Sequence, residues 1–394
     1  MDEKKSIYLD YSATTPVAEE VIEAMLPFWR DGWGNPSSSH HYGQQAKLGL
    51  ETARRTIAEL INAKPSEVVF TGSGSEADNL ALRGIMQQAL DDGRGNHLII
   101  STIEHEAVLI TAEQLANHMG FELTILPVNR YGQVEIDVLE KAIRPETALI
   151  SIMAANNEIG SLQPIDEIGA ICKDRHILFH TDAVQAAQFI EWDLDTQHID
   201  VLAMAPHKFY GPKGVGIMYV RQGTPILSAM TGGGQESGRR AGTVNVPFAV
   251  GAAKALELAY AGREDYIRHT ENLRNKLIHG MFENFSADTV RLTGHPEERL
   301  PHHASFAFKD LPGGDLVMHL DLLGIAASSG SACSSGNPIP SAALQAIGLD
   351  NHWNSGGLRL TVGKNTTEKD IDFVLGQLPK AVESLQKFSA VLYG

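Results

Sequence analysis

Lys208 closes an apolar run, in Met204-Ala205-Pro206-His207-Lys208-Phe209-Tyr210-Gly211-Pro212-Lys213-Gly214. Most lysines are solvated surface charges. One framed by apolar, Gly and Pro residues loses water, and its lowered pKa makes the amine a nucleophile or base. Asp182 ends a second apolar run, Ile177-Leu178-Phe179-His180-Thr181-Asp182, with Gln185 three residues on. In open α/β sheets ligands sit beyond the carboxyl ends of strands. A carboxylate there needs a cationic partner, unless it merely caps the following helix. Phe70-Thr71-Gly72-Ser73-Gly74-Ser75-Glu76-Ala77 is a Gly/Ser turn ahead of a helix. Its free N–H groups and the helix dipole suit an anion. The same turn satisfies the dinucleotide pattern G-x-G-x-x-A, and it also reads as a plain βα turn with Ser75 as N-cap.

Cys333 lies in the small-residue loop Ala327-Ser328-Ser329-Gly330-Ser331-Ala332-Cys333-Ser334-Ser335-Gly336. Such a loop suits a thiol that must reach something. The other cysteine, Cys172, falls on the apolar face of a helical segment and reads as a small core residue. Arg359, in Gly357-Leu358-Arg359-Leu360-Thr361, has the fork geometry to clamp a carboxylate, if it is not a strand-edge surface group. His105 could stack on a planar ligand or carry protons. Asn157 closes a further strand, and the glycine-rich basic segment Gly232 to Thr243 could contact an anion. An anion turn, a strand-end Asp, a strand-end Lys and a carboxylate-binding Arg together are what pyridoxal phosphate requires. No histidine or cysteine spacing matches a structural metal site.

These groups need a scaffold, and two periodicities alternate along the chain to supply it. Strands are expected at 67–70, 97–100, 122–127, 148–153, 177–181, 201–204 and 215–220. Helices between most of them, including one over 76–90, predict an open, largely parallel α/β sheet. After about Gly262 a long polar helix (264–285), sparse strands near 291–292 and 304–308, and further helices predict a smaller α+β domain. The 394 residues suffice for two domains. Charged residues make up 20% and apolar ones 43%, as in a globular protein. A net charge of −16 argues against generic binding to nucleic acid or an anionic membrane. Two cysteines, no signal-type start and no long apolar run point to the cytoplasm.

Tyr8-Leu9-Asp10-Tyr11-Ser12-Ala13-Thr14-Thr15-Pro16, Gly34-Asn35-Pro36-Ser37-Ser38, Asn156-Asn157-Glu158-Ile159-Gly160, the His207-Lys208 segment and Gly330-Ser331-Ala332-Cys333 resemble the cysteine desulfurases of the NifS/IscS type. These are class V aminotransferase relatives with the pyridoxal-phosphate fold type I. The resemblance implies a large cofactor-binding domain over 15–262, with a mostly parallel mixed sheet. A small α+β domain would comprise 1–14 and 263–394 and carry the Cys333 loop. It also implies a homodimer that takes L-cysteine to L-alanine and leaves a persulfide on Cys333. That sulfur would pass to an acceptor protein, such as an iron–sulfur scaffold or a tRNA-thiolation carrier. By resemblance Lys208 carries the cofactor, Asp182 meets the pyridine nitrogen, Gln185 the phenolic oxygen, and His105 stacks on the ring beside Asn157. Gly74, Ser75 and His207 bind the phosphate, with Thr243 supplied from the other subunit. Arg359, Asn35 and Asn157 hold the substrate. No resident metal is expected, with Cys333 at most a transient iron–sulfur ligand. Ala205-Pro206 stand where the family often has Ser-Gly, which removes one phosphate hydroxyl. Selenocysteine lyase is a neighbouring reading on the same fold. A nicotinamide-dependent dehydrogenase, or an assembly protein without turnover, would leave Lys208, Asp182 and Cys333 together unexplained.

Overall fold

The computed structural model describes residues 6–329 and 340–393. Cys333 and its neighbours 330–339 lie outside the described residues. Twelve strands are found among the described residues. In chain order they are β1 (Ile7–Tyr8), β2 (Val68–Thr71), β3 (His97–Ser101), β4 (Glu122–Leu126), β5 (Thr147–Ser151), β6 (Leu178–Asp182), β7 (Val201–Met204), β8 (Gly216–Val220), β9 (Val290–Leu292), β10 (His303–Phe308), β11 (Ile325–Ala326) and β12 (Gly357–Thr361).

Seven strands form one sheet in the order β2-β8-β7-β6-β5-β3-β4. The β4-β3-β5-β6-β7 run is parallel, and β8 is antiparallel to both its neighbours. The expected mostly parallel sheet is therefore present. Strands β2, β3, β5, β7 and β8 are buried along their whole length. Their continuous apolar runs follow from helices covering both faces. One face packs Ile99, Ile150, Phe179 and Leu202 under the helices His41–Leu60 and Val246–Ala261. The other packs Leu98, Ile100 and Leu149 against Gly74–Asp91 and Glu106–Met119.

A second apolar cluster surrounds the three-stranded antiparallel sheet β12-β10-β9. Leu273 and Leu277 reach it from the helix Arg263–Asn284, and Val374 and Leu378 from Glu368–Tyr393. Ile7 and Leu9 from the start of the chain join the same cluster, where β1 pairs in parallel with β11. The short strands β1, β11 and β12 were not read from sequence, because two-residue strands carry no periodicity and β12 lies in a Gly-rich stretch. Among the described residues, no helix is long and apolar enough to cross a membrane.

The glycine-rich segment is tied to the large sheet by one buried ion pair. Arg54 donates from Nη1 and Nη2 to the two carboxylate oxygens of Glu236, each at 2.8 Å. Arg54 also donates to the Val68 carbonyl at 2.6 Å, and Glu236 accepts from the Phe70 N–H at 2.8 Å. Glu236 takes these contacts at φ +49°, a left-handed conformation that its side chain ordinarily disfavours. Removing one partner of a buried pair leaves the other charge uncompensated. Arg54→Met is therefore expected to destabilise the protein by about 3–5 kcal/mol, read as a lower denaturant midpoint.

Candidate active site

The carboxyl ends of the parallel strands and the chain start enclose a cavity of about 320 Å³. Gly74, Ser75, His105, Asn157, Asp182, Gln185, His207, Lys208 and Arg359 all line it. These nine candidates span nearly 300 positions of the sequence and meet in one place. Asp182 comes directly from the end of β6. Lys208 ends the single 3-10 turn Pro206–Lys208 just past β7, opened by Pro206. The proline has no N–H to satisfy and pre-sets the turn.

The anion-binding end is built on the helix Gly74–Asp91. Its N-cap is Ser73, not Ser75: the Ser73 side chain accepts from the Glu76 N–H at 3.0 Å. Ser75 thus falls in the first helical turn, where N–H groups have no acceptor within the helix. The Glu76 carboxylate accepts from the Gly72 N–H at 2.7 Å and pairs with Arg240 at 2.7 Å. A Cβ on Gly74 would sit 2.9 Å from Val184 Cγ2 and 3.3 Å from Ala205 Cβ. A Cβ on Gly216 would sit 2.3 Å from the Ser73 carbonyl oxygen. Both glycines are required by close approach.

His207 donates or accepts with Thr14 Oγ1 at 3.2 Å. Burial, with Lys208 and Lys213 nearby, lowers its pKa to about 4. It is therefore a neutral ring at ordinary pH and can serve an anion as a hydrogen-bond donor. His105 caps the next helix, its Nδ1 accepting from the Ala107 N–H at 3.1 Å. In the neutral ring that fixes the proton on Nε2.

Lys208 Nζ donates to the carbonyls of Ser12 at 2.6 Å and Ala13 at 2.8 Å. Burial lowers its pKa to about 8, Arg359 adds to the fall, and Asp182 and Asp10 oppose it. Asp182 is buried, and burial raises its pKa although His105 and Lys208 pull the other way. One of its oxygens accepts from the Val184 N–H at 2.8 Å. Gln185 Nε2 donates to the Ser12 carbonyl at 3.0 Å, using one of its two hydrogens.

Arg359 is not a surface arginine. Its side chain is 7% exposed and donates from Nη1 to the Asn157 carbonyl at 2.8 Å and from Nη2 to Asp10 at 2.7 Å. Asn35 and Thr243 are exposed and do not line the cavity formed by this single chain. Cys172 is buried in its helix, and burial raises its thiol pKa beyond the physiological range.

Ser12, Ala13, Ser73, Asp78, Met153, Val184 and Ala205 also line the cavity, and of these Asp78 lies outside every motif singled out in the sequence. Asp78 had one signal, since it lies one turn beyond Gly74 on the same helix face. It is buried, its Oδ1 has no hydrogen-bond partner, and it lies 3.5 Å from His180 Nε2. Glu104, beneath His105, accepts from Ser101 Oγ and the Met153 N–H, and burial pushes its pKa up to about 8.

The donor set fits pyridoxal phosphate. A first-turn N–H cluster with Ser75 and a neutral His207 suits the phosphate. A buried carboxylate, Asp182, has an oxygen available for a ring N–H. A lysine of lowered pKa stands across the same cavity.

The chain is similar over nearly its whole length to proteins of known family. The aminotransferase class-V family model matches residues 7–374. A cysteine desulfurase IscS from Methanosarcina thermophila is 45% identical over 387 residues, 98% of this chain and 94% of that protein. A solved NifS-like protein superposes with a TM-score of 0.90 at 36% identity, covering 97% of this chain and all of the other. A structure of SspA in complex with cysteine has a TM-score of 0.79 at 34% identity, covering 92% of this chain and all of that one.

The depressed Lys208 pKa has a measurable sign. The neutral amine is populated above about pH 8, not only above 10.5. Covalent capture of pyridoxal phosphate by protein stripped of it, followed by absorbance, is expected to speed up with pH and level off near 8. A rate still climbing at pH 10 would contradict this environment for Lys208.

Proposed function

This chain belongs to the aminotransferase class-V family and is a pyridoxal-phosphate-dependent cysteine desulfurase; from that premise we propose how its own residues divide the reaction. The observation that carries the proposal is the convergence of Lys208, Asp182, Arg359 and the Gly74-Ser75 helix start on one cavity. When bound, pyridoxal phosphate supplies an electron sink for the charge left at Cα when its proton is removed.

Gly74, Ser75 and His207 would hold the phosphate, and Thr243 of a second subunit would complete that end, which makes the working unit a homodimer. The exposure of Thr243 in the single chain supports this. Asp182 would pair with the ring nitrogen and favour its protonated form. His105 and Asn157 would lie beside the ring, and the second hydrogen on Gln185 Nε2 would be free to serve the phenolic oxygen. Arg359 takes the substrate carboxylate, with Asn157 and Asn35 bordering the substrate.

Lys208 is the base for the Cα proton, which it also returns. Its lowered pKa keeps a useful fraction of neutral amine near pH 7 to 8. The thiolate of Cys333 attacks the substrate sulfur: an S–S bond forms, the Cβ–S bond breaks with its electron pair left on the carbon skeleton, and Cβ takes up a proton. The carbon skeleton leaves as L-alanine, and the persulfide stays on Cys333. An acceptor protein in the cytoplasm, an iron–sulfur scaffold or a tRNA-thiolation carrier, then removes the outer sulfur.

The test is alanine formation from L-cysteine by cofactor-loaded protein with a thiol reductant. Wild type is expected to turn over, and Cys333→Ala to lose at least about 99% of that activity while keeping the cofactor absorbance. Equal alanine production by the two would remove Cys333 from the mechanism. No alanine from either, with cofactor bound, would point to another amino-acid substrate.

A further inference from the structure

Arg359 is held from two sides before any substrate arrives. Asp10 Oδ1 accepts from Nη2 at 2.7 Å, and the Asn157 carbonyl accepts from Nη1 at 2.8 Å. These two bonds use two of the five guanidinium N–H groups, and the Nε–H, which is buried, has no hydrogen-bond partner. Asp10 is itself fixed. Its backbone bridges Thr361, two residues from Arg359 on β12. Its carbonyl accepts from Tyr8 Oη and the Ala13 N–H, both at 3.0 Å. Thr361 anchors the same segment through the Leu9 carbonyl at 2.8 Å and the Ser12 N–H at 3.0 Å.

We propose that Asp10 is the positioning residue of the carboxylate clamp: it locks the Arg359 guanidinium against the Asn157 carbonyl and leaves the unused N–H groups of this cavity-lining fork to meet the substrate carboxylate. This rests on the reading of Arg359 as the carboxylate-binding residue. An arginine side chain has considerable rotamer freedom, and a carbonyl alone restrains one end of the fork. The Asp10 carboxylate fixes the other end and offsets the buried charge. It does so from the chain start, while Arg359 comes from β12 and Asn157 from beyond β5. The clamp is therefore assembled only when all three segments are in place. Asp10 does not line the cavity, so its role is exerted on binding, through Arg359. Its charge also opposes the fall of the Lys208 pKa, so turnover is compared well above pH 8, where the Lys208 amine is neutral with or without it.

The experiment uses the holoenzyme and two ligands, L-cysteine in turnover and propionate as a competitive inhibitor that has a carboxylate but no amine. Asp10→Ala is expected to raise KM for L-cysteine and the propionate inhibition constant about tenfold, with kcat within about twofold. Asp10→Asn keeps an acceptor oxygen at the same place and is expected to hold both constants within about threefold of wild type. Asp10→Ser, whose hydroxyl is too short to span the gap, carries the same expectation as Asp10→Ala and serves if that variant does not fold. All are compared at wild-type cofactor absorbance. Unchanged constants in Asp10→Ala or Asp10→Ser, or equal damage in Asp10→Asn, would overturn the proposal. A fall in both constants would make Asp10 a competitor for Arg359 and overturn it too. Arg359→Lys separates the two readings. If propionate inhibition survives there at wild-type strength, the carboxylate assignment of Arg359 fails. If Arg359→Lys abolishes it and Asp10 variants do not move it, the Asp10 inference alone fails.

Discussion

A lysine ammonium drawn out of water beside an arginine sets the terms for this molecule. Lys208 is covered by the large sheet, and Arg359 adds positive charge nearby. Its solvation is replaced by two carbonyls from Ser12 and Ala13, which belong to the start of the chain, nearly 200 positions away. That replacement requires the first residues to run along the cavity edge. They do so because Ile7 and Leu9 bury their side chains in the apolar cluster of the three-stranded sheet. The amine is thus desolvated enough to be partly neutral near pH 8, yet never left without acceptors.

The same logic of matched burial recurs around the site. Arg359 is balanced by Asp10, and Arg54 by Glu236. In each pair one partner comes from a regular element and the other from a segment with little structure of its own. The ion pair carries the irregular segment to the sheet. Through Glu236 and the Glu76–Arg240 pair, the glycine-rich stretch leading to Thr243 is fastened beside the anion-binding turn. Asp182, Asp78 and Glu104 are buried acids without such partners, and each is pushed toward its neutral form. A cationic ring nitrogen beside Asp182 would reverse that pressure, which is the electrostatic sense in which the cavity is made for a pyridinium.

Much of this was legible in the residues. The seven strands of the large sheet lie within one or two positions of their expected ranges, because strands buried on both faces are short unbroken apolar runs. Lys208, Asp182 and the Gly72–Ser75 turn stood out because each closes such a run with polar or Gly/Pro chemistry. β1, β11 and β12 did not stand out, since pairing between distant segments leaves no local period. Ser73 rather than Ser75 is the N-cap because the Glu76 side chain turns back onto the Gly72 N–H, a reciprocity invisible from composition. Asp10 carries no local mark of its pairing, because its partner Arg359 is 349 positions away.

The sequence by itself determined the alternation of strands and helices, and with it an α/β sheet whose carboxyl edge collects Asp182, His105, Asn157 and Lys208. Local periodicity and strand-end chemistry are properties of neighbouring residues and survive in one dimension. Only the tertiary structure decided which distant groups share a charge: Asp10 with Arg359, 349 positions apart, and Lys208 with the Ser12 and Ala13 carbonyls. Those pairings follow from where the apolar faces of the first strand and the last sheet come together. Hydrophobic burial sets that position, and the charged groups must then find partners there or remain unpaired in a medium that penalises them.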